Sequence, residues 1–244
     1  MSDLRTTVEA LFRGDAAAVL QFMTATPVVQ DQRLGRLVGA DEVTRWVQDS
    51  SAWLDTLKAK PTEVSVLTTD RRLVYELSLS IESEDGVVDL PYVMVADQSD
   101  DGFTEIRTYH STWPYTKGHV FRPPPLAGRA GEPMNGTFQW YIDRISVADV
   151  QPVLDRFTDD GYVREPSGDR WKHQGPKELA AFYVHLVHAP RARFELGTCT
   201  VMGSTIAVEY AFAYGPVEFV GGVCIMEVDG DKIAAVRIAD DVSA

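Results

Sequence analysis

The sequence contains no apolar run of the roughly 18 residues that a membrane-spanning helix needs, and its first residues carry charge. We therefore expect a cytoplasmic protein that does not interact with a membrane. Cysteine is scarce, since Cys199 and Cys224 are too few for a disulfide framework or a zinc cluster. The chain also lacks a P-loop and a GxGxxG motif after a strand, so we expect no metal and no cofactor.

Basic residues are few relative to acidic ones. The 244 residues include 23 Lys and Arg against 36 Asp and Glu, which gives a formal net charge of -13. Because phosphate binding needs a basic face that displaces counterions, this balance argues against a nucleic-acid partner. Hydrophobic residues make up 45% of the chain, which is typical of a globular protein with its own core.

One segment, residues 116–137, is rich in proline and glycine and can sustain neither a helix nor a central strand. It predicts a linker between two domains, residues 1–115 and 138–244. The same order of helices and strands follows on both sides, which indicates an internal repeat of two small α+β domains.

Hydrophobic periodicity predicts three helices and then four strands in each repeat. The first repeat has predicted helices at 8–12, 16–23 and 43–57 and strands near 62–67, 73–81, 88–96 and 103–109. The second has predicted helices at 138–145, 149–157 and 175–190 and strands at 193–202, 205–214, 218–228 and 233–239. Short turns between consecutive strands predict a curved antiparallel sheet packed against the helices.

The second repeat carries a series of short motifs in a characteristic order. These are Ala148-Asp149, Phe157-Thr158-Asp159-Asp160, Glu165-Pro166-Ser167-Gly168, Phe182-Tyr183 and Gly230-Asp231-Lys232-Ile233. With this spacing, residues 141–241 resemble a ketosteroid isomerase of the nuclear transport factor 2-like (SnoaL-like) superfamily. The resemblance implies cone-shaped domains that enclose an apolar pocket and usually dimerise. Two tandem copies would then form an intramolecular pseudo-dimer, and the chains could also form a homodimer.

The same resemblance implies proton transfer between two carbons of an enone, with a carboxylate base and an oxyanion hole. It places the base at Glu165 and the oxyanion donor at Tyr141, which is backed by Tyr183. The position of the family's second acid falls on Cys224, which is only a weak hydrogen-bond donor. Further residues expected to contact the substrate are Phe182 and Ala211.

The residues allow other interpretations. Glu165, followed by proline and glycine, is either a base beside an apolar cavity or a solvent-facing acid in a turn. Strand alternation places Glu209 on one face with Ala211, and in the family's register that face is expected to look toward the pocket. Glu209 would then be a second carboxylate suited to epoxide opening or dehydration.

The first repeat has lost most of the implied catalytic residues. Its corresponding positions are Thr7 for the tyrosine donor, Asp31 for the base, Val47 for the backing tyrosine and, near the missing acid, Tyr92. Asp31 and Tyr92 are either an independent base and donor or the remnant of a degraded site in a domain that acts as a built-in partner.

These observations lead to three functional hypotheses. The first is a cofactor-independent, isomerase-like enzyme that acts on a hydrophobic, carbonyl-bearing molecule, either steroid-like or polyketide-like. The second is a SnoaL-like cyclase, dehydratase or epoxide hydrolase of natural-product biosynthesis. The third is a non-catalytic protein that binds a small molecule or serves as a scaffold.

Overall fold

The computed structural model describes residues 4–83, 86–116, 118, 133–188, 193–214 and 217–240. The chain divides into two compact units, Met1–Val120 and Phe121–Ala244. This division falls within the predicted linker, most of which lies outside the described residues. No described helix is both long enough and apolar enough to cross a membrane.

The first unit packs helices against a six-stranded sheet. Its helices are α1 (Leu4–Phe12), α2 (Ala16–Leu20), α3 (Ala40–Thr56) and α4 (Trp113–Thr116). Its strands are β1 (Met23–Asp31), β2 (Gly35–Val38), β3 (Lys60–Thr68), β4 (Arg72–Ser83), β5 (Gly86–Ser99) and β6 (Gly102–Tyr109). The strands are arranged in the order β2-β1-β6-β5-β4-β3.

The second unit repeats this arrangement. Its helices are α5 (Gly136–Ser146), α6 (Val150–Asp155) and α7 (Gly175–His188). Its strands are β7 (Phe157–Arg164), β8 (Lys172–Gln174), β9 (Arg193–Met202), β10 (Thr205–Tyr214), β11 (Val217–Asp229) and β12 (Lys232–Asp240). The strand order, β8-β7-β12-β11-β10-β9, is the same as in the first unit. The α+β class is thus confirmed, and the matching topology supports the internal repeat.

The prediction of purely antiparallel sheets is wrong, because each sheet is mixed. The first strand of each unit pairs in parallel with the last one, β1 with β6 and β7 with β12. The predicted second helices extend too far, since α2 ends at Leu20 and α6 at Asp155. The residues that follow form β1 and β7, and each of these strands also pairs with a short neighbour, β2 or β8.

Side-chain alternation along the strands decides which residues lie beneath the helices. In β10 the residues that join the core are Ile206, Val208, Tyr210 and Phe212. They cluster with residues of α5 and α7, including Phe138, Tyr141, Leu179 and Tyr183. The bulky apolar face of β10 is therefore the face that packs against the helices.

In each unit, an equivalent backbone hydrogen bond joins the start of the last strand to the residue just before the first strand. The Phe103 N–H donates to the Phe22 carbonyl, and the Ile233 N–H donates to the Arg156 carbonyl, both at 2.7 Å. Gly102 precedes the first of these bonds with a φ of 122°. A Cβ added there would lie only 2.5 Å from the Phe22 oxygen, so glycine permits the close approach of the two strands.

We predict that Gly102→Ala destabilises the first unit more than Gly86→Ala does. Both glycines have positive φ, so each substitution strains the backbone by about 1–3 kcal/mol. Only the Cβ at 102 also meets a backbone carbonyl, because nothing lies within 4 Å of a Cβ at 86. Urea unfolding followed by circular dichroism measures the difference, and equal losses of stability would contradict this account.

Candidate active site in the second unit

Glu165 lies in a tight turn directly after β7. Its N–H donates to the Trp171 carbonyl at 3.1 Å, and its own carbonyl accepts from the Gly168 N–H at 3.2 Å. Gly168 has a φ of 100°, which favours glycine. Only 9% of Glu165 is exposed, so the alternative of a solvent-facing turn acid is wrong.

The neighbouring strand brings a histidine to this carboxylate. Val163 of β7 is paired with His173 of β8, and Glu165 follows two residues later, so its side chain emerges on the same face. Nε2 of His173 lies 2.5 Å from Oε1 of Glu165. Within the described part of the chain, no hydrogen bond reaches the second oxygen, Oε2. In this pair, which we call the Glu165–His173 dyad, one carboxylate oxygen has no hydrogen bond from the described residues.

Aromatic contacts connect the dyad to the predicted oxyanion donors. The His173 ring packs on Phe182 of α7 with centroids 5.0 Å apart, and Phe182 packs on Tyr183 at the same separation. The Tyr183 hydroxyl lies 2.8 Å from the Tyr141 hydroxyl, and either oxygen can be the donor. The predicted tyrosine pair is therefore present, and Phe182 lies between it and the dyad.

Burial determines the protonation state of Tyr141 and Tyr183. Removal from water raises the pKa of both hydroxyls above the usual value, so both stay protonated and can donate hydrogen bonds. Tyr141 keeps 4% of its surface exposed, whereas Tyr183 keeps none. Tyr183 is therefore the more deeply buried member of the tyrosine pair.

Cys224 belongs to the same core as the tyrosine pair, on the face of β11 that packs against the helices. The buried carboxylate near this position is Asp240, which sequence reasoning did not identify. Asp240 accepts a hydrogen bond from the Tyr210 hydroxyl at 2.5 Å. Gly222 makes room for this pair, because a Cβ there would lie 2.6 Å from Cζ of Tyr210.

The expected placement of Glu209 and Ala211 in the pocket is wrong. Their neighbours Val208 and Tyr210 belong to the core beneath the helices, so alternation puts Glu209 and Ala211 on the opposite face of the sheet. There Glu209 is buried and accepts a hydrogen bond from the Thr198 hydroxyl. Glu209 is therefore not on the face that carries the tyrosine pair.

Strand register identifies the residue of the first unit that corresponds to Glu165. Gln30 is paired with Arg107 as Arg164 is paired with Arg237, so the next residues, Asp31 and Glu165, are equivalent. This agrees with the correspondence inferred from the sequence.

The two carboxylates differ in their hydrogen bonds. Oδ1 of Asp31 accepts from the N–H groups of Arg33 and Leu34, and Oδ2 accepts from Trp46 Nε1 and the Thr108 hydroxyl, all at 3.0 Å. Burial alone would raise the Asp31 pKa, but the Arg33 charge and these donors hold it below the usual value. Four donors occupy the acceptor positions of the carboxylate, so Asp31 is a fixed anion and not an available base.

Tyr92 lies on the same side of the first unit. Its ring stacks on His110 with centroids 5.3 Å apart and an interplanar angle of 14°. Burial, followed by the Asp31 charge, raises the pKa of its hydroxyl above the usual value. The predicted pair of Asp31 and Tyr92 therefore consists of an ionised acid and a neutral phenol. Among the described residues, no group of His, Cys, Asp or Glu side chains is arranged to hold a metal ion.

We predict that Asp31→Asn lowers the free energy of unfolding by about 2–3 kcal/mol at neutral pH, because hydrogen bonds to an ionised acceptor are lost. The Asp31 pKa is depressed in the folded state, so its contribution is present above the unfolded value of about 3.8 and disappears on further acidification. The difference between wild type and variant should shrink there. Asp15→Asn is the matched control, since either residue caps α2 well.

We predict that Tyr92, Tyr141, Tyr183 and Tyr210 resist ionisation until the protein unfolds at alkaline pH. Tyr92, Tyr141, Tyr183 and Tyr210 all have raised pKa values, mainly through burial. Their contribution to stability is complete below the unfolded value of about 10 and is lost as the pH rises above it. Tyrosinate absorbance and circular dichroism should share a transition, and full ionisation of a folded protein would contradict the prediction.

Comparisons with known proteins give one family match and several similar solved structures. The family model described as a SnoaL-like domain matches residues 138–236. No curated protein matches the chain. Similar solved structures include a putative polyketide cyclase from Sinorhizobium meliloti, with 21% identity over 43% of this chain and 94% of that one and a TM-score of 0.39.

Two further structures have a similar extent of overlap. A protein from Sphaerobacter thermophilus is 23% identical over 44% of this chain and 94% of its own, with a TM-score of 0.37. The epoxide hydrolase/cyclase-like enzyme SalBIII is 17% identical over 42% of this chain and 85% of its own, with a TM-score of 0.38. The family match, together with the order of helices and strands, identifies residues 138–236 as a SnoaL-like domain.

Proposed function

We propose that the second unit is a cofactor-independent proton-transfer enzyme of the isomerase type that acts on a hydrophobic, carbonyl-bearing small molecule. The observation that carries this proposal is the connection from the Glu165–His173 dyad through Phe182 to the paired hydroxyls of Tyr183 and Tyr141. A base and an oxyanion donor are the two groups that enolisation requires.

The reaction uses only side chains of this chain. Oε2 of Glu165 removes a proton from the carbon next to the substrate carbonyl, while His173 holds the other carboxylate oxygen. The electron pair of the broken C–H bond moves onto the carbonyl oxygen, which becomes an enolate. Tyr141 donates a hydrogen bond to that oxygen, and Tyr183 donates to Tyr141. Glu165 then returns the proton to another carbon, so no oxidant or reductant is needed.

Cys224 narrows the choice of substrate. A thiol is a weak donor, so the oxyanion receives one strong hydrogen bond where an acid at this position would supply a second. A single oxyanion donor typically contributes about 2.7–4 kcal/mol to catalysis. Substrates that form an enolate easily, such as the 1,3-dicarbonyl units of a polyketide-like molecule, therefore suit this site better than a simple ketone.

His173 supports a second candidate function, that of a cyclase, dehydratase or epoxide hydrolase. Such reactions need a general acid as well as a base, and the partly buried carboxylate–imidazole pair contains both kinds of group. The dyad takes the place of the pair of Glu165 and Glu209 expected from the sequence. Loss of an epoxide-opening or dehydration activity in His173→Gln, without any isomerase activity in the wild type, would favour this function.

The test combines ligand binding with turnover in the full chain. Equilenin, an aromatic enolate mimic, is titrated by fluorescence, and turnover is assayed with β,γ-unsaturated ketones and 1,3-dicarbonyl compounds. We expect Glu165→Gln to lower kcat by at least about 100-fold with little change in equilenin affinity, because it removes only the base. We expect Tyr141→Phe to weaken binding of ionised equilenin and to lower kcat by about 100-fold or more.

Glu178→Gln is the control for the same chemical change outside the site, since the exposed Glu178 side chain accepts a hydrogen bond from the Gln174 N–H at the start of α7. It should retain wild-type turnover. Unchanged turnover in Glu165→Gln would refute the assignment of the base. Equilenin binding that does not depend on Tyr141, together with no turnover of any substrate class, would instead favour a binding or scaffold protein.

A further inference from the structure

The first unit contains a cluster of stacked planar side chains that has no counterpart among the described residues of the second. The Arg33 guanidinium lies over the Trp53 ring with its Cζ 4.2 Å from the centroid. His110 stacks on Trp53 at 5.2 Å and on Tyr92 at 5.3 Å. We refer to Arg33, Trp53, His110 and Tyr92 as the stacked cluster. According to the strand register, the position of Tyr92 is occupied in the second unit by Gly222.

Two N–H groups of the stacked cluster have no acceptor. Nε of Arg33 and Nε1 of Trp53 are both buried, and neither makes a hydrogen bond within the described residues. Native proteins satisfy the large majority of buried donors, because an unsatisfied one is destabilising. The other tryptophan of α3 shows the ordinary arrangement, since Trp46 Nε1 donates to Asp31.

The charge of Arg33 also lacks a direct partner. Its Nη2 donates to the Ser50 hydroxyl at 3.3 Å, and no carboxylate of the described residues lies within ion-pair distance of it. Asp31 is close enough to interact with Arg33 electrostatically, but four donors already occupy its oxygens. The guanidinium can therefore bind an additional anion.

We propose that the first unit binds a small planar organic carboxylate, with one oxygen accepting from Arg33 Nε–H and the other from Trp53 Nε1–H. The guanidinium lies over the indole ring, so the two N–H groups belong to one cluster, and the two oxygens of a carboxylate match two donors. A monoanion fits better than a phosphate dianion, because the fixed negative charge of Asp31 lies nearby. The aromatic rings of the stacked cluster favour a planar ligand.

This site shares no residue with the Glu165–His173 dyad, so the two proposals can fail separately. A carboxylate site in the first unit would make the protein responsive to a second small molecule, different in chemistry from the neutral substrate proposed for the second unit. It would also explain why Asp31 is retained as a fixed anion, since Asp31 anchors the turn that carries Arg33.

The experiment is a titration of the ¹⁵N-labelled full chain with sodium benzoate, observed through the indole N–H resonances of its five tryptophans. Trp53→Phe and Trp46→Phe assign the two relevant signals. We expect the Trp53 signal to move downfield and to saturate, because its N–H gains a charged acceptor. The Trp46 signal, whose N–H already donates to Asp31, should stay in place. Benzyl alcohol, which has no carboxylate, should move neither signal.

Calorimetry with benzoate then compares variants. Arg33→Lys keeps the charge but removes the Nε–H, and Trp53→Phe keeps an aromatic ring but removes the indole N–H. Each should weaken binding by at least about tenfold, as expected for loss of a charged hydrogen bond. Glu165→Gln and Tyr141→Phe should leave benzoate affinity unchanged.

Three results would overturn the proposal. The first is a Trp53 resonance that benzoate does not move. The second is equal affinity in wild type, Arg33→Lys and Trp53→Phe. The third is equal binding of benzyl alcohol. A loss of turnover in Glu165→Gln alongside any of these would leave the proposed function of the second unit standing.

Discussion

The parallel pairing between the first and last strands is the constraint on which both units depend. In one unit the pairing begins with the hydrogen bond donated by the Phe103 N–H, and in the other with the hydrogen bond donated by the Ile233 N–H. Because the paired strands run in the same direction, the residue at the carboxyl end of the first strand lies beside the end of the last strand. Asp31 therefore meets Thr108, and Glu165 occupies the equivalent position next to the short strand β8 and helix α7. Without this pairing, neither carboxylate would be buried among side chains from distant parts of the chain.

The same position supports different chemistry in the two units because the surrounding donors differ. Asp31 receives four hydrogen bonds and is held as an anion, whereas Glu165 receives one contact from an imidazole and keeps an oxygen free of protein donors among the described residues. Glu42 of α3 and Glu178 of α7 accept hydrogen bonds from equivalent N–H groups, so the two helices can be aligned at these residues. In this alignment Trp46, which donates a hydrogen bond to Asp31, corresponds to Phe182, which only packs against its neighbours. The shared topology thus holds a carboxylate with four donors in one unit and a carboxylate with a single imidazole contact in the other.

Much of the fold could be predicted from the sequence because its signals are local. Helix α3 and the four long antiparallel strands of each unit show strong periodicity over many residues, and the structure confirms them. Strands β1 and β7 were missed because each follows a short helix directly and their pairing partner is the distant last strand. Strand β8 has only three residues, too few for a periodic pattern. Its omission also hid His173, a single histidine in a polar segment, whose role depends on the pairing with Val163. The sequence feature that could have indicated strand β8 is the Pro-Ser-Gly turn after Glu165, because such a turn predicts that the chain reverses direction there.

Glu209 shows what the alternation of side chains along a strand cannot predict. The pattern correctly groups Ala207, Glu209 and Ala211 on one face, but it does not say which face the helices cover. The larger apolar residues on the other face, Ile206, Val208, Tyr210 and Phe212, indicate it, because the helices bury the most apolar surface available.

The sequence by itself determined the α+β class, the repeat, the correspondence of Asp31 with Glu165 and the partnership of Tyr141 with Tyr183, because these follow from local periodicity and from motif spacing. Only the tertiary structure decided that His173 reaches Glu165, which of the two carboxylates has an oxygen without a donor among the described residues, and that the buried N–H groups of Arg33 and Trp53 find no acceptor there. These properties depend on distances between side chains far apart in the chain, and such distances arise only when the sheet and the helices pack together.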